Sequence, residues 1–95
     1  MFNVNFRATV WQYPGPSGWY FVTLPADLSH QMRSTQATHE GWGRLKVSAR
    51  LGQTAWTTSA WYDAKTNCYQ LPLKASVRQA EHFQANDEVE ITVSF

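Results

Sequence analysis

The closing stretch of the chain, residues 71–95, reads LPLKASVRQAEHFQANDEVEITVSF. Pro72 lacks an amide hydrogen, which predicts that the preceding strand ends there. Ser76 and Gln79 have the spacing of a capping box, in which each side chain bonds to the other residue's backbone N–H, so a short helix is expected after the proline. From Val89 to Phe95, apolar residues alternate with polar ones, the pattern of a strand with one buried face. The stretch therefore predicts a strand, a short helix and a closing strand.

The same alternation predicts further strands upstream. They cover residues 2–10, 19–24, 44–51, 54–61 and 68–71. A first short helix is expected after Pro25. Both halves of the chain then read strand–strand–helix–strand, with Leu24-Pro25 and Leu71-Pro72 at matching points. This order predicts one mainly β domain over residues 1–95. The predicted fold is a small closed six-stranded β-barrel with two short helices and a pseudo-twofold ββαβ repeat, because closure removes exposed strand edges.

The predicted core consists of the apolar positions on one face of each strand and on the inner side of the helices. These positions are Val4, Phe6, Ala8, Tyr20, Val22, Leu24, Leu28, Met32, Leu45, Val47, Leu51, Val77, Val89, Ile91 and Val93. Trp56 and Trp61 are an odd number of positions apart on one strand, so they point to opposite faces of the sheet. Trp19 and Tyr20 are divided in the same way. Aromatic side chains on the outer face must lie under a helix, in a ligand site or at a partner surface.

The composition indicates one globular domain with little net charge. The chain has 95 residues, of which 43% are hydrophobic and 16% are charged, as in folded rather than disordered chains. A net charge of +1 gives no bulk reason to bind nucleic acid or anionic lipid. The single Cys68 excludes an internal disulfide and fits a reducing compartment. With no signal-peptide pattern and no apolar run of about 20 residues, we expect a cytoplasmic protein with no membrane partner.

Three basic residues, Arg44, Lys46 and Arg50, share one face of the strand predicted at residues 44–51. They indicate either an anion-binding stripe or an ordinary solvated face, since charged side chains are mostly exposed. Glu88 and Glu90 share the polar face of the closing strand. If the two strands are neighbours, the opposite charges are expected to lie across from one another and to cancel the stripe.

Three stretches together resemble one protein family. They are residues 18–25 (GWYFVTLP), residues 41–59 (from GWGRLKV to TS), and residues 69–74 (YQLPLK) with Val77-Arg78 and Asp87-Glu88-Val89. Their order is similar to that of the bacterial domain-of-unknown-function family 1905 (DUF1905), and the resemblance spans nearly the whole chain. It implies a bacterial protein with a small six-stranded β-barrel, and it assigns no activity. The family usually has glycine before the aspartate of the last turn; Asn86 takes that place here and also tolerates a positive φ.

A ligand site is expected beside the second helix. Lys74 and Arg78 are four residues apart around the start of that helix and can converge on one anion. Ser59 and Trp61 share a face of one strand, which a single loop connects to the strand before the helix. Trp19 is the fifth candidate. Together these side chains fit a carboxylate or phosphate attached to a flat group.

The signals for catalysis are weak. Cys68 has no neighbouring histidine, and a buried thiol of this kind is usually inert. The histidines, which are His30, His39 and His82, fit no metal-ligand spacing. We therefore expect neither a cofactor nor a metal.

The sequence leaves two functions open. The first is non-catalytic binding of a small anionic or aromatic ligand, or of a protein partner. The second is a small enzyme with Arg78, Lys74 and Ser59 as its polar residues, which would need a positioned acid or base. Arg78 can also be structural, paired with Asp87 or a loop carbonyl. Nucleic acid is not an expected partner, and the oligomeric state is open.

Overall fold

The computed structural model describes residues 2–16, 18–34 and 43–95. His39 and most of the loop predicted from Ser34 to Glu40 lie outside the described residues. Within the described ranges the chain forms seven β-strands and two α-helices. In chain order these are β1 (Asn3–Thr9), β2 (Trp11–Gln12), β3 (Tyr20–Thr23), α1 (Ala26–Ser34), β4 (Arg44–Leu51), β5 (Thr54–Asp63), β6 (Cys68–Leu73), α2 (Ala75–Glu81) and β7 (Glu88–Ser94). Neither helix has the length and hydropathy of a membrane span.

The seven strands belong to one sheet in the order β1-β7-β4-β5-β6-β3-β2. The prediction of a mainly β fold with two short helices is confirmed, whereas the closed six-stranded barrel is wrong. The segment predicted as the first strand forms both β1 and β2, which lie at opposite ends of the strand order. β1 pairs with β7 and β2 pairs with β3. Because β1 and β2 do not pair with each other, the sheet is an open half-barrel.

Val10 is the point at which the chain passes from one end of the sheet to the other. Its N–H donates to the carbonyl of Asp87 at 2.8 Å, and its carbonyl accepts from the N–H of Asn86 at 2.8 Å. Val10 is fully buried and lies an even number of residues after Phe6, which is also buried. The alternation of apolar and polar residues therefore continues through Val10 and gives no sign that β1 ends before it. Asn86 adopts φ 77°, which confirms that it takes the backbone conformation expected of glycine in this turn.

The pairing of the strands has the symmetry of the predicted repeat. When β1 and β2 together are exchanged with β5, β3 with β6, and β4 with β7, the β1·β7 pair becomes β5·β4 and the β2·β3 pair becomes β5·β6, while β3·β6 and β4·β7 are unchanged. The two prolines are not equivalent, because α1 starts directly after Pro25 whereas α2 starts three residues after Pro72. The helices also differ, since α1 packs mainly on β6 and α2 on β5. The repeat therefore applies to strand pairing and not to helix position.

Pro72 lies inside β6, so the prediction that it ends the strand is wrong. It pairs with Phe21 of β3. The N–H of Leu24 donates to the carbonyl of Tyr69 at 2.9 Å, and hydrogen-bonded pairs alternate along an antiparallel ladder. The Phe21–Pro72 pair is therefore a non-hydrogen-bonded one, in which the proline nitrogen faces away from β3. On that side, the pairing with β5 already ends at Gln70, so no ladder hydrogen bond is lost.

The core follows the predicted alternation closely. Val4, Ala8 and Tyr20 are half-buried and pack against the core, and the other predicted core positions are buried. Trp56 is 8% exposed and Trp61 is 53% exposed, which confirms that they point to opposite faces. Several further core positions were not predicted, namely Val10, Ala49, Trp56, Ala60, Tyr69, Leu71, Leu73 and Phe83.

Helix α1 is attached to β6 through a buried polar contact. Ser29 and Tyr69 are both fully buried, and the Tyr69 N–H donates to Ser29 Oγ at 2.9 Å. Arg33, in the last turn of α1, lies over the ring of Tyr62 at 3.9 Å from its centroid. Burial raises the pKa of the Tyr69 hydroxyl, although its hydrogen bond with Arg33 acts in the opposite direction. These contacts fix α1 across the β5–β6 side of the sheet.

Helix α2 begins without a side-chain cap. Its N-cap is Lys74, with φ −64° and ψ 150° and no side-chain cap hydrogen bond, so the predicted capping box is wrong. Because the helix starts at Ala75, Ser76 lies inside the first turn instead of at the cap. At the other end, Glu81 accepts a hydrogen bond from Thr54 Oγ at 2.6 Å. This bond holds α2 against the start of β5.

Replacing His82 with glycine is expected to raise the free energy of unfolding by about 0.5–1 kcal/mol. His82 is the C-cap of α2 at φ 57°, and this left-handed conformation costs an L-residue roughly 1–2 kcal/mol. The greater freedom of glycine in the unfolded chain offsets part of the gain. Urea denaturation measures the change. The control is His30→Gly in the interior of α1, where the same exchange should lower stability by about 0.5 kcal/mol. Destabilisation by both exchanges would contradict the argument.

The expected pairing of opposite charges between β4 and β7 is wrong in its register. The two strands are neighbours, but Arg50 lies opposite Thr92, and the pairing extends only to Ser48 and Ser94. Glu88 therefore lies beyond the end of β4, where it pairs with Arg7 of β1 at 3.3 Å. Both of these side chains are largely exposed, and such pairs contribute about 0–1 kcal/mol.

Candidate functional site

An aromatic cleft lies on the outer face of strands β2, β3, β6 and β5. Its volume is about 550 Å³. The lining includes Trp11, Tyr13, Trp19, Phe21, Trp61 and Gln70. Trp11, Phe21, Trp61 and Gln70 occupy outward positions of neighbouring strands, since Trp11 pairs with Phe21 and Trp61 pairs with Gln70. Tyr13 and Trp19 lie just beyond the ends of β2 and β3. We call this surface the aromatic cleft.

The aromatic rings of the cleft pack against one another. Trp11 stacks on Phe21 with centroids 5.0 Å apart, and Trp19 stacks on Phe21 at 6.4 Å. Tyr13 is tilted against Trp11 at 6.5 Å. Trp19 and Tyr13 nevertheless remain 54% exposed. Exposed rings held in place by other rings form a preorganised apolar surface, which loses little conformational entropy when a ligand covers it.

A hydrogen-bond relay crosses the cleft and orients the amide of Gln70. Trp11 Nε1 donates to Thr23 Oγ at 3.1 Å, and the Thr23 hydroxyl donates to Gln70 Oε1 at 2.7 Å. An indole N–H can only donate, so the Thr23 hydroxyl accepts from Trp11 and has its own proton to donate to the amide oxygen of Gln70. Within the described ranges, no protein atom accepts from the Gln70 NH₂ group. The cleft therefore presents an amide donor in a fixed orientation.

A second, smaller pocket of about 270 Å³ lies beside the first turn of α2. We call it the cationic pocket, because Lys74 and Arg78 line it together with Trp19 and Tyr20. The Arg78 guanidinium carbon lies 4.6 Å from the centroid of the Tyr20 ring, a cation–π contact that orients the group. Arg78 Nε is buried and has no hydrogen-bond partner in the part of the chain that the structure describes.

Asp87 does not neutralise Arg78. Its carboxylate accepts from the backbone N–H of Gln84 at 2.9 Å, within the turn before β7. Across residues 2–16, 18–34 and 43–95, the ion pair that the structure contains joins Arg7 and Glu88. The sequence-based alternative in which Arg78 is paired with Asp87 is therefore wrong.

Trp19 is a wall of both the cleft and the pocket. Tyr20 pairs with Leu73, so Trp19 and Lys74 follow directly after the last pair of the β3·β6 ladder. The cationic pocket consequently opens at the end of the aromatic cleft at which Lys74 lies. The two meet at Trp19, with the aromatic cleft on one side of its ring and the two cations on the other.

The structure brings four of the five predicted site residues to this surface. Lys74, Arg78 and Trp19 line the cationic pocket, and Trp61 lines the cleft. Ser59 lines neither. Ser59 lies two residues from Trp61 along β5, where the neighbouring strand is β4 and its partner is Lys46. This position is beyond the edge of the cleft. Sharing a strand face with Trp61 is therefore not enough to place it in the site.

Sequence reasoning missed Trp11, Phe21 and Gln70. Trp11 and Phe21 have the outward parity of their strands, a signal that was available, but their adjacency depends on the register between β2 and β3. Gln70 and Thr23 are 47 residues apart, and no local pattern indicates their contact. The relay is thus a product of the tertiary fold.

The site has little that could perform acid–base chemistry. Asp63 lines the cleft, but its carboxylate accepts from the Lys65 N–H at 3.0 Å and from the Thr66 hydroxyl at 3.2 Å. It therefore serves as a turn-stabilising group. Cys68 is half-buried at the start of β6. In the described part of the chain, no three His, Cys, Asp or Glu side chains are grouped so that they could hold a metal ion.

Comparison with known proteins places the chain in a family. No curated protein matches it. A family model described as "Domain of unknown function (DUF1905)" matches residues 6–93. The match covers nearly the whole sequence, so the chain belongs to the DUF1905 family.

Proposed function

We propose that this chain is a non-catalytic binding module of the bacterial cytoplasm for a small anionic ligand that carries a flat ring. The observation that carries the proposal is the position of Trp19, which is a common wall of the aromatic cleft and the cationic pocket. A ring stacked in the cleft brings an attached anionic group to Lys74 and Arg78.

The anionic part of the ligand is inferred from two cations that lack a carboxylate partner among the described residues. Arg78 is oriented by Tyr20 and lies beside Lys74 in the same pocket. A guanidinium can donate two parallel hydrogen bonds to a carboxylate or phosphate. One charge-assisted hydrogen bond contributes roughly 1.5–3 kcal/mol to the free energy of binding. Arg78 is therefore expected to be the main contact of the ligand's anionic group.

The flat part is inferred from the shape and chemistry of the cleft. Its volume of about 550 Å³ is within the range of about 300–1,000 Å³ that is typical of small-molecule sites. Stacked rings with exposed faces favour a flat partner. A concave surface of this size fits a small molecule better than the broad, flatter interface of a protein partner. An enzyme would also need a positioned acid or base, and Asp63 is engaged in its turn.

The test uses a pair of probes that differ in charge and share a ring, 2-naphthoate and 2-naphthamide. Isothermal titration calorimetry is expected to show tighter binding of the carboxylate. In Arg78→Ala, the affinity for 2-naphthoate should fall by at least about tenfold, the loss of one charge-assisted hydrogen bond. The affinity for 2-naphthamide should change little, because the amide makes no ion contact with Arg78.

Arg50→Ala is the matched control, since it removes one positive charge from the exposed face of β4. It should leave the affinity for 2-naphthoate within about twofold, because exposed charges beyond a Debye length are largely screened. Equal binding of both probes by wild type and Arg78→Ala would overturn the proposal. A common loss in Arg78→Ala and Arg50→Ala would reduce it to nonspecific charge attraction.

A further inference from the structure

We propose that the ligand of this surface is a nucleoside monophosphate, with its base in the aromatic cleft and its phosphate in the cationic pocket. This inference rests on the proposed function and names the class of ligand. Three features of the surface carry it: the separation of its two polar ends, the donor of Gln70 and the position of its two cations.

The backbone positions of Gln70 and Lys74 favour a ligand in which a linker separates the flat ring from the anionic group. Gln70 and Lys74 are four residues apart on one extended segment, because β6 runs to Leu73 and Lys74 itself has φ −64° and ψ 150°. At about 3.3 Å per residue, their Cα atoms are about 13 Å apart. In a nucleotide, a sugar separates the flat base from the phosphate. Such a molecule spans the distance between the amide and the cations.

Gln70 supplies the contact that a base needs at its edge. The relay from Trp11 through Thr23 holds the amide oxygen, so the NH₂ group is what the cleft offers to a ligand. Every nucleobase has ring-nitrogen or carbonyl acceptors at its edge, whereas a plain aromatic hydrocarbon has none. The exposed rings of Trp19 and Trp61 supply stacking surfaces for the face of the base.

The distribution of charge fixes the direction of the ligand. The phosphate belongs at the Lys74 and Arg78 end, where the described residues place no carboxylate in the pocket lining. The opposite end of the cleft, beyond the Trp61–Gln70 pair, is lined by both Asp63 and Lys65. It presents a mixed pair of charges in place of the two cations of the pocket, so it is the weaker site for a phosphate. The base and phosphate therefore have one arrangement in the site.

The experiment measures binding of AMP and UMP by isothermal titration calorimetry, with adenosine, uridine, ribose 5-phosphate and 2-naphthoate as reference probes. The more tightly bound nucleotide is expected to exceed both its nucleoside and ribose 5-phosphate in affinity by at least about tenfold, because each fragment lacks one end of the ligand. Arg78→Ala should abolish the advantage of the nucleotide over the nucleoside.

Gln70→Glu is the decisive variant. Glutamate keeps an oxygen that accepts from Thr23 and removes the NH₂ donor, so the fold and the relay are preserved. The affinity for the nucleoside, which is uncharged and so is not repelled by the new carboxylate, should fall by about tenfold together with that for the nucleotide, while the affinity for 2-naphthoate should fall by less than about threefold. Thr23→Val releases the amide from its fixed orientation and should produce a smaller loss of the same kind.

The possible outcomes separate this inference from the proposed function. If 2-naphthoate binds with the expected dependence on Arg78 and neither nucleotide binds, the nucleotide inference is overturned and the proposed function stands. The inference is also overturned if Gln70→Glu leaves nucleotide binding unchanged. If no anionic probe binds in an Arg78-dependent way, both fail.

Discussion

Replacement of Trp19 by alanine is expected to lower the affinity for 2-naphthoate by roughly 5- to 150-fold. Stacking of a flat group on an aromatic side chain contributes about 1–3 kcal/mol. Trp19 also separates the aromatic cleft from the cationic pocket. Its removal takes away the stacking surface and admits water to the ion contacts of Arg78, which weakens them. Isothermal titration calorimetry measures the loss.

Phe2→Ala is the matched control for Trp19→Ala. Phe2 is also an exposed aromatic residue, 46% exposed, but it lies against Phe95 at the other end of the sheet. The Phe2→Ala variant should keep the affinity for 2-naphthoate within about twofold of wild type. It tests whether the loss of any exposed ring is enough to disturb the protein. The double variant Trp19→Ala, Arg78→Ala gives a second test, because residues that contact one ligand are expected to be non-additive. Additive losses, or an unchanged affinity in Trp19→Ala, would show that cleft and pocket are separate surfaces.

The strands were predictable because each has a strong local cause. In β4, the apolar residues from Leu45 to Leu51 alternate with polar ones, and the alternate positions are buried as expected. The division of the first strand at Val10 was not predictable. The alternation of buried and exposed positions continues through Val10, so the sequence pattern is that of one uninterrupted strand. Whether the sheet closes depends on the partners of β1 and β2, which are set by contacts between distant parts of the chain.

The candidate site was partly predictable for the same reason. The spacing of Lys74 and Arg78 at the start of a helix correctly placed both in one pocket, and strand parity correctly exposed Trp61. The position of Ser59 required the register of β5 against β4 and β6. Gln70 required the contact with Thr23 across the β3·β6 ladder. Local patterns determine which way a side chain points, and tertiary register determines what it meets.

Replacement of Ser29 by alanine is expected to lower the free energy of unfolding by about 1–3 kcal/mol. Ser29 Oγ accepts from the backbone N–H of Tyr69 at 2.9 Å, and both residues are fully buried. At this point the chain leaves β3 for α1, so the Ser29 hydroxyl serves as the acceptor at the end of the β3·β6 ladder. Without it, a buried N–H has no partner and no access to water. Urea denaturation followed by circular dichroism measures the loss.

Ser34→Ala is the control, because it makes the same exchange at an exposed position of the same helix. Ser34 Oγ donates to the carbonyl of Gln31 at 2.9 Å on the protein surface. Alanine has the higher helix propensity, by up to about 0.5 kcal/mol, so Ser34→Ala should be neutral or slightly stabilising. The same propensity gain acts in Ser29→Ala, so any loss there understates the effect of the hydroxyl. If Ser29→Ala is as stable as Ser34→Ala, then α1 is held to β6 by apolar packing alone and the buried hydroxyl has no stabilising part in it.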